Sequence, residues 1–407
     1  MTNYINLDYA SHTPASELVL SAFLQAERDY SGNAVASHSL GQAAKEEMER
    51  VTKGIAELLN VTPQEIIFTS GASEANNLAI KGIAKAYEHV GKHILSTCLE
   101  HPSVSGTLSA LQLSGWEVEL LKILPNGKID LTHLKTAIRQ DTVLVCVSAV
   151  DSELGVIQPI GEIAKILPPH CHLHVDAAQA VGKILPTCGA WNVDGVRSTA
   201  NHTGDSNHCR ERRPWHSMGL TAGTGFSTLC FSPHKFYGIN GVGVLVKRQN
   251  IVLEPLIHGG ASTTIYRSGT PTLSLAVSAY KALAIALGNQ SKWLHHVTTL
   301  NNRIREHLKT FPQVRINSHA SASPYILNLS IDGIKGTDFQ AALNQHGICV
   351  SIKSACSTDR APSRPVMAIT RDKKRAQNSW RISLSHLTTV EEIEIFLNAF
   401  NEILRAV

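Results

Sequence analysis

The chain is predicted to be an α/β protein, a largely parallel sheet flanked by helices with a second, smaller α+β unit. Short apolar runs at 94–98, 143–149, 172–176, 228–231 and 242–247 have the length of buried strands. They alternate with helical patterns at 17–30, 41–59, 131–139 and 273–287. Such alternation lays parallel strands side by side under helices. From about 259 onward the rhythm changes to a strand at 325–331 and a helix at 389–404. The expected division is a large unit over 15–258 and a small unit that joins 1–14 to 259–407.

Composition narrows the function classes. A chain of 407 residues with 43% hydrophobic content can bury a large core and suits two domains. A net charge of +4, with no basic stripe or interleaved aromatics, argues against a nucleic-acid partner. The eight cysteines form no paired-spacing framework, as expected in a reducing compartment. Met1 to Tyr4 lead straight into a motif, so the expectation is no targeting peptide and a cytoplasmic protein. No apolar run reaches membrane-spanning length, so no membrane partner is expected.

The chemistry is carried by five segments in chain order. In the first, the strand Ile66-Ile67-Phe68 breaks at Thr69-Ser70-Gly71-Ala72-Ser73, and a helix follows. Ser73 reads as its N-cap. Gly71 and Ala72 let the backbone approach a ligand, and the unpaired N–H groups of a helix start make a phosphate seat. In the second, His101 follows the strand 94–98 in Glu100-His101-Pro102-Ser103. It is placed to stack on an aromatic ring or move a proton.

The third segment is His172-Leu173-His174-Val175-Asp176-Ala177-Ala178-Gln179. A carboxylate at a buried strand end needs a partner, and a protonated pyridine nitrogen is a suitable one. Gln179, three residues on, is placed to bond a ring hydroxyl. The fourth is Phe231-Ser232-Pro233-His234-Lys235-Phe236-Tyr237-Gly238. A buried strand delivers Lys235 into a turn where desolvation favours the neutral amine, the form that makes a Schiff base with an aldehyde. The fifth, Tyr266-Arg267-Ser268-Gly269-Thr270-Pro271, offers a second anion contact. A phosphate seat, a ring-nitrogen carboxylate and a Schiff-base lysine are together what pyridoxal 5'-phosphate needs. Singly each has a plain structural explanation, whether a capped helix, a strand-end aspartate, one of 20 histidines or a surface lysine. Their shared order is much more specific.

With these residues in view, the chain resembles a cysteine desulfurase of the class V aminotransferase group. The resemblance starts at Leu7-Asp8-Tyr9-Ala10 and Asn33-Ala34-Val35-Ala36-Ser37-His38. It runs through the segments above and Glu153-Leu154-Gly155-Val156-Ile157-Gln158-Pro159, and closes at Ser354-Ala355-Cys356-Ser357 and Arg381-Ile382-Ser383-Leu384. It implies the aspartate-aminotransferase-like fold type I and a homodimer. It implies Lys235, Cys356 and His101 as catalytic residues. Ala72, Ser73, His101, Ser152, Asp176, Gln179, Ser232, His234, Lys235 and Thr270 would hold the cofactor, with Thr270 reaching across to the partner subunit. Arg381 would clamp the carboxylate of L-cysteine. Cys356 follows Lys353 and precedes Arg360 and Arg364, a positive setting that favours a thiolate. It would carry the sulfur as a persulfide to an acceptor such as an iron–sulfur scaffold. No resident metal is implied, and Cys356 would be at most a transient iron–sulfur ligand. Cys349 is the rival thiol, but its apolar neighbours make it a core residue first.

Three departures keep other readings open. Asp151 and Ser152 stand where the family usually has two asparagines, and Gly260-Ala261-Ser262-Thr263-Thr264 replaces a Gln-Glu-Arg run. Residues 196–227 read as an unusual insertion without helical or strand period. Its His202, His208, Cys209 and His216 match no zinc spacing. A catalytically impaired homologue acting as a scaffold, or a related lyase such as selenocysteine lyase, is therefore the alternative.

Overall fold

Seven strands make the central sheet in the computed structural model, which describes residues 4–184, 225–260, 264–353 and 361–406. In chain order after a short β1 (Ile5–Asn6) they are β2 (Ile66–Thr69), β3 (His93–Ser96), β4 (Glu117–Leu120), β5 (Thr142–Ser148), β6 (His172–Asp176), β7 (Thr228–Phe231) and β8 (Gly243–Lys247). The spatial order is β2-β8-β7-β6-β5-β3-β4. β8 runs antiparallel to both neighbours and every other pair is parallel. Every residue of β5, β6, β7 and β8 is buried, which is why each reads as a nearly continuous apolar run rather than an alternating one.

The helices in the first half are α1 (Glu17–Asp29), α2 (Ser39–Leu59), α3 (Ala72–Ala86), α4 (Pro102–Leu113), α5 (Leu131–Ala137) and α6 (Ile160–Ile166). The long α7 (Leu273–Leu308) packs on α1 and α2 and also touches the C-terminal helix. Residues after 259 therefore pack with both parts of the molecule. The remainder holds β9 (Val314–Ile316), β10 (Ile326–Ile331), α8 (Gly336–Gln345), β11 (Ile348–Cys349), α9 (Arg364–Thr370), α10 (Lys373–Gln377), β12 (Ser379–Ser383) and α11 (Val390–Ala406). β12, β10 and β9 form an antiparallel sheet, and β1 pairs in parallel with β11. The N-terminal strand thus lies with the C-terminal part of the chain.

Some expectations need correction. The 273–287 helix runs on to Leu308, straight through Gly288, because Val297, Leu300, Ile304 and Leu308 are buried on the same helix. A glycine costs such a helix about 1 kcal/mol, less than the burial of four apolar side chains returns. β4 escaped notice because Glu-Val-Glu-Leu is an edge strand, half-solvated and without an apolar run. Ser73 is not the cap of α3. The helix begins at Ala72 with Gly71 in the cap position, and the Ser70 N–H donates to the Glu74 carboxylate at 2.7 Å. β8 lies so close that a Cβ on Gly243 would fall 2.4 Å from the Gly71 backbone.

The last residues of the 196–227 stretch are described. Phe226 belongs to the core, and the Ser227 N–H donates to the Leu173 carbonyl at 2.8 Å, leading directly into β7. Residues 196–224, with the histidines and Cys209 named above, lie outside the described residues.

Candidate active site

Each strand that ends at the site hands over to a loop or helix start, so the carboxyl edge of the sheet becomes the floor of a cavity. That cavity has a volume of about 310 Å³. Ala72 and Ser73 from α3, His101, Ser152, Asp176, Gln179, His234, Lys235 and Arg381 all line it. Of the cofactor residues expected from the sequence, Ser232 and Thr270 do not. The Ser232 hydroxyl is spent behind the wall, donating to the Val242 carbonyl at 2.8 Å and accepting from His234 Nδ1 at 2.8 Å. Thr270 is exposed in the single chain. Cys356 lies outside the described residues.

Asp176 ends β6 at the cavity floor. Its Oδ1 accepts from the Ala178 N–H at 3.0 Å and its Oδ2 from Asn76 Nδ2 at 2.9 Å. Asn76 is fully buried in α3 and organises a polar cluster. It donates to Ser103 Oγ at 2.9 Å and accepts from His174 Nε2 at 2.8 Å and from the Cys230 thiol. Burial pulls His174 down to about 4, so the ring is neutral and donates to Asn76 through Nε2. Sequence reasoning gave Asn76 no role. The available signal was its place one helical turn after Ala72, on a face otherwise filled by Ala75, Leu78 and Ala79.

His101 caps α4. Its Nδ1 accepts from the Ser103 N–H at 3.2 Å, which leaves the proton of the neutral ring on Nε2. Burial, together with the positive charge of Lys235, lowers its pKa despite Asp176 nearby. Lys235 closes a 3-10 turn, Pro233–Lys235, just beyond β7, and its Nζ donates to the carbonyls of Ala10 at 3.0 Å and Ser11 at 2.7 Å. Gln179 Nε2 donates to that same Ala10 carbonyl at 2.8 Å. His234 falls to about 3 because it is buried and faces Lys235 and His12.

Arg381, 1% exposed, projects from β12 into the cavity. Its Nη2 meets Asp8 Oδ1 at 2.6 Å and Ser11 Oγ at 2.8 Å, and its Nη1 donates to the Ser152 carbonyl at 2.7 Å. Its Nε has no partner among the described residues. Asp151, fully buried, accepts from the backbone N–H groups of Glu153 and Leu154, and its Oδ1 is unpartnered among the described residues. Burial and the charge of Glu153 raise its carboxyl to about 7. A protonated Asp151 is close in shape and charge to the asparagine that the family usually has there.

A helix start facing the cavity, a strand-end carboxylate, a neutral imidazole and a lysine amine fit one group, a phosphorylated pyridine aldehyde. Fold and cavity together define a pyridoxal-phosphate enzyme of fold type I. The aminotransferase class-V family model matches residues 5–200 and 221–396, and the chain belongs to that family. Within it, the chain belongs with the cysteine desulfurases. The mitochondrial cysteine desulfurase of Candida albicans is 34% identical over 409 residues, covering 98% of this chain and 77% of that protein. A solved NifS-like protein superposes with a TM-score of 0.86 at 29% identity over the whole of both chains. SspA in complex with cysteine superposes at 0.74 with 28% identity, covering 95% of this chain and all of that one. The unmatched stretch 201–220 falls inside the insertion read from the sequence.

Proposed function

We propose that this protein converts L-cysteine to L-alanine with pyridoxal phosphate and carries the sulfur as a persulfide on Cys356. The observation that supports it best is the convergence of Lys235, Asp176, His101 and Arg381 on one cavity. Bound there, the cofactor supplies an electron sink that lets bonds at the substrate's α and β carbons break. Ala72 and Ser73, in the first turn of α3, would hold its phosphate. Asp176 would keep its ring nitrogen protonated, and Lys235 would bond its aldehyde carbon. His101 would cover the ring and, neutral with its proton on Nε2, donate a proton at the substrate. Gln179 would donate to the ring hydroxyl oxygen. Arg381 would take the substrate carboxylate.

In the sulfur step, the Cys356 thiolate attacks the substrate sulfur and the carbon–sulfur bond breaks. The sulfur stays on Cys356, and the former β-carbon gains a proton to become the methyl group of alanine. The reading includes a homodimer in which Thr270 meets the partner's phosphate, a sulfur-acceptor protein such as an iron–sulfur scaffold, and a cytoplasmic setting. No described helix is long and apolar enough to cross a membrane.

One observation favours the impaired-scaffold reading. The Arg381 fork already pairs with Asp8 and the Ser152 carbonyl, so a substrate carboxylate meets a partly neutralised guanidinium. The deciding experiment incubates purified protein with pyridoxal phosphate, L-cysteine and a thiol reductant, and measures alanine and sulfide together. Equal amounts of both over many turnovers are expected. A protein that binds the cofactor yet makes neither product is the scaffold.

A further inference from the structure

Lys183 is a buried cation that the mechanism above leaves unused. It follows Gly182, whose φ of +76° bends the chain where a Cβ would press on Phe236 and Ala286 at 3.0–3.1 Å. The bend turns Lys183 inward, 5% exposed, with Nζ donating to Gln179 Oε1 at 2.8 Å. Its other described neighbours are the Tyr325 ring at 5.9 Å and the charges of Lys235 and Arg381. Among the described residues it has no carboxylate partner. Burial and those two cations bring its ammonium down to about 7. A buried amine in this setting is costly to keep and needs a reason.

The reason lies in the amide it touches. Gln179 has an oxygen at one end and two N–H donors at the other, and either end fits the same space. Lys183, a donor, selects the oxygen. The nitrogen is thereby turned to the cavity that Gln179 lines, where one N–H goes to the Ala10 carbonyl and the second is left for a ligand. We propose that Lys183 is a positioning residue for the cofactor, holding the Gln179 amide so that its nitrogen donates to the cofactor's ring hydroxyl oxygen. This rests on the role given to Gln179 above. An amine donates in its neutral form as well, so the orientation survives loss of the charge, and the Ala10 carbonyl, which can only accept, favours the same orientation.

Lys183→Met, Gln179→Leu and the double variant test it, with apo-protein melting as the check on folding. Pyridoxal-phosphate affinity and the pH midpoint of the bound cofactor's visible band are the readouts. Lys183→Met should weaken cofactor binding roughly tenfold, the scale of one charge-assisted hydrogen bond. It should also raise the midpoint, because a ring oxygen without its donor holds its proton more tightly. Gln179→Leu should do the same, and the double variant no more than the larger single, since the two act through one contact. Lys183→Gln keeps an N–H for Gln179, should recover part of the loss, and carries the test if the methionine variant fails to fold. If Gln179→Leu shifts both readouts and Lys183→Met neither, the positioning role is wrong and the Gln179 assignment stands. If Gln179→Leu is silent too, both fail. Additive effects in the double variant overturn the shared contact.

Discussion

Asn76 and Asp176, one hundred residues apart in sequence, are joined by a 2.9 Å hydrogen bond beneath the cavity. The Asn76 amide holds one carboxylate oxygen while its own oxygen is held by His174 and Cys230. Helix α3, which starts at the cavity, is thereby locked to strand β6, which ends at it. Removing Asn76 removes a buried donor from a carboxylate, a loss of roughly 1–3 kcal/mol. Asn76→Leu should lower stability by about that much and loosen cofactor binding. Denaturant unfolding and cofactor titration check it, and wild-type values for both would refute the locking role.

Lys235→Ala should abolish the visible band of the bound cofactor and any borohydride-reducible bond to protein. Lys183, which feels the charge of Lys235, is a rival amine, but its Nζ is directed at Gln179. A reducible bond that persists in Lys235→Ala and vanishes in the double variant with Lys183→Met would move the role to Lys183.

Cys356→Ser should keep cofactor and bind cysteine, yet lose alanine formation by at least two orders of magnitude, since a hydroxyl is a poor nucleophile toward sulfur at neutral pH. Single-turnover mixing with cysteine reads this directly. Retained turnover would point to another thiol. Cys98 is a poor candidate because burial raises its pKa.

Glu100 gives a pH signature. It is buried between Thr97 and Ser148, each hydroxyl at 2.6 Å, and burial pushes its carboxyl from 4.5 up to about 8. Between those values the unfolded chain has released the proton and the folded chain has not. Its contribution to stability therefore falls as pH rises from about 4.5 to about 8 and is constant above. Glu100→Gln removes that term. The variant should gain on wild type by a few kcal/mol, on the order expected from linkage, between pH 5 and pH 9. Paired unfolding curves at the two pH values check it, and a difference that does not change with pH would refute it.

Thr270→Ala should weaken cofactor binding by roughly 1–2 kcal/mol if its hydroxyl reaches a partner's phosphate. Arg267, ion-paired with Glu74 at 3.0 Å, already ties that turn to the start of α3. Light scattering on the loaded protein should show a dimer whose dilution releases cofactor. A monomer that retains cofactor at micromolar dilution would refute this.

Much of the site was legible because its residues occupy places where local rules are strict. A lysine in a turn after an all-buried strand, a carboxylate at a strand end and a glycine at a helix start are each constrained by backbone geometry alone. Ser73 was misplaced by one such rule, since a serine near a helix start is usually a cap and here the helix starts one residue earlier, at Ala72, with Gly71 in the cap position. That Ser232 does not line the cavity was not legible either. Whether a hydroxyl faces a cavity or the wall behind it depends on neighbours such as Val242 and His234 rather than on sequence spacing.

By itself the sequence determined the alternation of strands and helices, and it singled out a lysine, an aspartate, a histidine and an arginine that line one cavity. These follow from periodicity and from the few side chains whose chemistry suits an aldehyde, a ring nitrogen or a carboxylate. Only the tertiary structure decided who partners whom. Asn76 reaches Asp176, Lys183 and Lys235 both lead to Gln179 or its Ala10 acceptor, and Arg381 meets Asp8 across 373 residues. Buried polar groups must find partners wherever the fold brings them, and at such separations only packing sets the choice.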